Sequence, residues 1–65
     1  MYRIKQIRPG KEPLYLGYQI NGKNVWWENT KYAKPFMNRK AAEVTKRHLM
    51  ETKERNVQLH IEPIT

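Results

Sequence analysis

The 65 residues carry 13 Lys and Arg against 6 acidic residues, a net charge of +7 at pH 7, with 38% hydrophobic and 11% aromatic residues. A chain of this length makes one domain, residues 1–65, whose core is a single thin layer that buries about 60% of the unfolded surface; two Trp, four Tyr and one Phe make it too aromatic for a disordered tail. Cys, Ser and Asp are all absent, which excludes disulfides, a Cys-based zinc site and a Ser, Cys or Asp nucleophile.

No stretch approaches the roughly 20 apolar residues of a membrane span. The first eight residues alternate polar and apolar instead of forming the apolar run of a signal peptide, so a cytoplasmic location is expected.

In chain order, residues 2–7 read as a strand, with Tyr2 and Ile4 on one face and Arg3, Lys5 and Ile7 on the other. Arg8-Pro9-Gly10-Lys11-Glu12-Pro13 is turn chemistry. Residues 14–20 alternate again, with Leu14, Leu16, Tyr18 and Ile20 opposed to Tyr15, Gly17 and Gln19. Asn21-Gly22 predicts a two-residue type I′ hairpin, because both central residues need positive φ. That turn sets a register in which Leu16 faces Trp27 and Gly17 faces Trp26. Trp27 is then expected in the core and Trp26 on the open face over Gly17, beside Tyr15.

Residues 29–37 form a connection holding Lys31, Tyr32, Lys34 and Pro35. Asn38 is an N-cap for a helix from about Arg39 to Lys53, with Phe36 or Met37 packing back against it. At 100° per residue its inner arc is Ala41, Ala42, Val44, Thr45, His48, Leu49 and Thr52. Glu43–Arg47 and Arg47–Glu51 are i,i+4 pairs. Glu54-Arg55-Asn56 ends the helix, and alternating Val57, Leu59 and Ile61 make a last strand closed by Pro63. The expected fold is α+β in the order β-β-β-α-β. One helix packs on one face of a four-stranded, mostly antiparallel sheet of order 3-2-1-4, with the last strand parallel to the first through a right-handed crossover.

The other sheet face has no second layer. Aromatics interleaved with cations on a sheet suit base stacking and phosphate contact, while an indole over Gly17 also serves simply to cover the gap and stiffen the hairpin. The charge of +7 favours polyanions. His48 and His60 are far apart and lack paired carboxylates, and no glycine-rich phosphate loop exists. No catalytic residue, metal site or cofactor is therefore expected, and the protein reads as non-enzymatic.

The Asn21-Gly22-Lys23 hairpin, followed by Phe36-x-Asn38-x-x-x-Ala42 and a helix ending near Leu49, resembles the arm-DNA-binding domains at the N-termini of phage and conjugative-transposon tyrosine integrases. The resemblance covers roughly residues 13–50. It implies a sheet that enters the DNA major groove, with Arg3, Lys5, Gln19, Asn24 and Trp26 on the reading face. Residues 57–62 depart from that family by adding a strand. The plan is also similar to small proteins of phages and prophages. The expected function is nucleic-acid binding, with DNA the leading ligand, through Arg3, Lys5, Tyr15, Gln19, Asn24, Trp26, Lys31 and Lys34. The alternative is a phage-type accessory protein that binds or inhibits an acidic host protein through the same face. A monomer is expected, because like charges oppose pairing.

Overall fold

The computed structural model describes residues 1–52 and 57–64. The chain forms β1 (Tyr2–Ile7), β2 (Leu14–Leu16), β3 (Trp26–Trp27), a 3₁₀ turn (Thr30–Tyr32), α1 (Arg39–Thr52) and β4 (Gln58–Pro63). The sheet order is β3-β2-β1-β4, and α1 packs on one face, mainly over β1 and β4. The α+β class, the element order and the strand order are those read from the sequence.

Turn chemistry sets the first half. Pro9 and Gly10, the latter at φ 72°, close a turn in which Lys11 N–H donates to the Arg8 carbonyl at 3.1 Å. Asn21 and Gly22 both adopt positive φ, 53° and 75°, and Ile20 and Lys23 exchange hydrogen bonds at 2.9 and 3.0 Å across them.

Beyond that turn the expected register fails. Leu16 pairs with Trp26 and Tyr15 with Trp27, whereas Ile20 still pairs with Lys23. Residues 17–19 therefore face only residues 24–25, which places one extra residue on the first strand of the hairpin and flips the face of everything beyond it. Trp26 packs against the core, and Trp27 lies on the opposite face, 37% exposed.

The cause is a fork in the sheet. Residues 34–36 enter between the start of β1 and the end of β2. Lys34 N–H donates to the Leu16 carbonyl at 2.8 Å, and Tyr2 and Phe36 exchange hydrogen bonds at 2.9 and 2.7 Å. Where that segment takes its place beside β1, β2 ends at Leu16 and the hairpin tip leaves the sheet. Tyr18 and Ile20, expected to share the face of Leu16, are consequently exposed.

The same segment changes the direction of β4. The chain has already returned to the start of β1 at Phe36, so α1 climbs and β4 descends. It pairs antiparallel with β1 from Tyr2–Pro63 to Ile7–Gln58. The parallel crossover expected from the sequence is replaced by a fully antiparallel sheet.

Asn38 caps α1 as expected, its Oδ1 accepting from Ala41 N–H at 2.8 Å. Phe36 packs back and is buried, while Met37 is exposed. The buried core is Ile4, Leu16, Phe36, Ala42, Leu49 and Leu59, with Tyr2, Trp26, Met50, Val57 and Ile61 packed around it. The inner arc of α1 is therefore centred on Ala42, Leu49 and Met50, about a quarter turn from the expected arc. Ala41, Val44 and His48 are exposed. Among the described residues the ion pair on its outer face is Arg39–Glu43 at 3.1 Å, in place of the expected Glu43–Arg47 and Arg47–Glu51 pairs. The expected helix end at Lys53 and the turn at 54–56 lie outside the described residues.

Candidate nucleic-acid interface

Strand alternation sends every second side chain of the sheet away from α1. On that face, cross-strand pairing aligns Trp27 of β3 with Tyr15 of β2, Tyr15 with Lys5 of β1, and Lys5 with His60 of β4. The result is a straight row, aromatic at one end and basic at the other. Three strand spacings of about 4.8 Å make it about 14 Å long. Among the described residues no strand or α-helix crosses this face; the 3₁₀ turn flanks its Trp27 corner.

Trp27 lies on Gly17. A Cβ at position 17 would stand 2.5 Å from the indole Nε1 and 2.6 Å from Cδ1, so only glycine leaves the ring room to lie against the backbone. The pairing of an indole with Gly17 was legible in the sequence, but the indole is that of Trp27, not Trp26. The 3₁₀ turn brings a second ring to the same corner. Asn29 Oδ1 accepts from Lys31 N–H at 2.9 Å, and Tyr32 N–H donates to the Asn29 carbonyl at 3.2 Å. Tyr32 is thereby held 4.9 Å from Trp27, tilted by 42°, and is 49% exposed. The Lys31 ammonium sits 6.0 Å from the Tyr32 ring centre, at the outer limit of a cation–π contact.

The centre of the face is more ordered. The Arg3 guanidinium lies 5.1 Å over the Tyr15 ring, and its Nε donates to Glu62 Oε1 at 2.9 Å. Both partners of this ion pair are about a quarter exposed, 21% and 27%, so it is screened less than a fully solvated pair. Tyr15 itself is only 8% exposed, covered within this cluster, and serves as the base of the site more than as a ring open to a ligand.

Of the residues singled out in the sequence, the structure brings together Arg3, Lys5, Tyr15 and, at the edge, Lys31. It separates the other four from them. Trp26 is on the core side. Gln19 and Asn24 hydrogen-bond each other at 3.2 Å and, with Lys34, line a cleft of about 560 Å³ between the hairpin tip and α1. Lys34 lies 5.3 Å over the Phe36 ring, consistent with its place on that side. Sequence reasoning missed Trp27, Tyr32, His60 and Glu62. Alternation with Leu59 and Ile61 would have supplied His60 and Glu62; for the extra residue at 17–19 the local signal is Gly17, an isolated glycine in a strand pattern, which marks a bulge or a close backbone approach.

Among the described residues no group of three or more His, Cys, Asp or Glu side chains could hold a metal ion, and no helix is long and apolar enough to cross a membrane. No protein-family model, curated protein or solved structure matches the chain.

Proposed function

We propose that this is a small non-enzymatic nucleic-acid-binding protein, of the kind phages and prophages encode, acting in the cytoplasm through its open sheet face. The observation that carries the reading is the Trp27–Tyr15–Lys5–His60 row flanked by Arg3 and Lys31. Trp27, with Tyr32 beside it, offers exposed π-faces to bases above the buried Tyr15, and the ammonium groups of Lys5 and Lys31 meet phosphates. The net charge of +7 adds a long-range attraction for a polyanion. The outer face of α1 is also basic, but Glu43 and Glu51 dilute its charge and it carries no aromatic ring. DNA is the ligand class favoured by the hairpin–helix likeness to integrase arm domains.

Titration of labelled oligonucleotides at two salt concentrations tests this. With about three phosphates contacted, log K falls against log salt with a slope of about −2 on single strands or about −3 on duplex. Lys5→Ala or Lys31→Ala reduces the slope by about one if the lysine meets a phosphate. A flat salt response, together with specific capture of an acidic host protein lost on Trp27→Ala, would replace this reading by the accessory-protein one.

A further inference from the structure

Resting on the nucleic-acid reading, we infer that the ligand is single-stranded and read with little sequence preference, its unpaired bases stacking at the Trp27–Tyr32 corner while its phosphates follow Lys31 and Lys5. Duplex sequence is read by side chains with paired donors and acceptors at base edges, Arg on guanine and Asn or Gln on adenine above all. Here the Arg side chains nearest the face and the Gln19–Asn24 pair are already engaged within the protein, and among the described residues the open face keeps one exposed amide, Gln58, beside Ile7 at its far β4 edge. Arg3 is held by Glu62 and Tyr15. Arg8 donates to the Glu12 carbonyl at 2.9 and 2.6 Å and reaches Glu28. Arg39 is held by Glu43, and Gln19 by Asn24. What the open face presents at its Trp27 end is two exposed rings with the Lys31 and Lys5 ammonium groups near them, and at its β4 end the exposed His60 and Gln58. A π-face accepts any base, but only one that is out of a duplex stack, and lysine meets phosphate as a point charge without base information. The geometry agrees. The rings stand at the edge strand, 4.9 Å apart and tilted by 42°, an open corner and not a ridge that could enter a groove. A four-stranded sheet of this width accommodates about two or three splayed bases.

The test compares the intact protein on oligothymidylate, oligouridylate and a mixed-sequence DNA duplex of equal length, by fluorescence anisotropy at about 50 mM salt. The expected result is at least about 10-fold tighter binding to one or both single strands than to duplex, with quenching of indole emission. Tyr32→Ala, on an exposed turn, weakens single-strand binding about 5-fold or more and leaves duplex binding within about twofold; Trp27→Phe retains most of the affinity that Trp27→Ala loses. Far-ultraviolet circular dichroism checks that each variant is folded. Duplex binding as tight as single-strand binding, or equal loss on both ligands in the ring variants, overturns the single-strand assignment while leaving nucleic-acid binding standing. Absence of binding to all three ligands overturns both.

Discussion

Gly17→Ala is a sharp probe of the hairpin register, because the added methyl meets one particular side chain. Its Cβ would lie 2.5 Å from Trp27 Nε1, 2.6 Å from Cδ1 and 3.1 Å from the Tyr32 carbonyl oxygen. Ordinary carbon contacts need about 3.5–4.0 Å, so the indole must move outward by about 1 Å. Overpacking of this kind costs about 1–3 kcal/mol. Trp27 is 37% exposed and able to swing, which puts the cost in the lower half of that range. Against it stands a gain of about 0.4–1 kcal/mol, because Gly17 does not use a left-handed φ and alanine narrows the unfolded ensemble. The net expectation is a loss of about 1 kcal/mol. In a Trp27→Ala background the obstacle is gone, and Gly17→Ala becomes neutral or stabilising by about 0.5 kcal/mol. Urea unfolding followed by far-ultraviolet circular dichroism on the four proteins of this cycle gives a coupling of about 1.5 kcal/mol. Additive effects at positions 17 and 27, or coupling to Trp26 instead, would refute the placement of the extra residue at 17–19.

Three further outcomes are expected. Trp26→Ala costs about 3 kcal/mol, a large fraction of the stability of so small a domain, and more than Trp27→Ala; acrylamide quenches the emission of Trp26→Phe, which retains Trp27, more strongly than that of Trp27→Phe. Asn38→Ala loses the cap on Ala41 N–H and about 1 kcal/mol, seen as a lower urea midpoint with an unchanged slope. Glu62→Gln releases Arg3 and removes a carboxylate from the open face. Stability falls by no more than about 1 kcal/mol, whereas oligonucleotide affinity at low salt rises about threefold, a gain that disappears at high salt.

The sequence was most legible where one residue has one reason to be in place. Asn21-Gly22 specified its turn through positive φ, Asn38 its cap, and alternation in residues 2–7 placed Ile4 in the core and Arg3 and Lys5 on the open face. It was least legible where a distant segment intervenes. Nothing local to residues 14–28 indicates that the backbone of residues 34–36 will enter beside Tyr2 and Leu16. Yet that insertion ends β2, releases the hairpin tip, exchanges the roles of the two tryptophans and reverses β4. The helix arc erred for a related reason. The tip that would have covered Val44 and His48 is displaced, and the cleft beside them is lined by Lys34, Gln19 and Asn24. Of the candidate site, the basic centre was visible from alternation alone, while its aromatic corner depends on a register that two-residue turn rules carry only as far as the first break in the ladder.

The central claim is that the open sheet face is the nucleic-acid interface, and amide shift mapping during titration with a single-stranded oligonucleotide tests it most directly. The account predicts that the backbone signals of Lys5, Tyr15, Trp27, Lys31, Tyr32 and His60, together with the Trp27 indole N–H, move and saturate with one affinity, while those of Lys40, Glu43 and Arg47 on α1 stay in place. Shifts confined to α1 or to the cleft around Gln19, Asn24 and Lys34, with the Trp27–Tyr15–Lys5–His60 row silent, would contradict it.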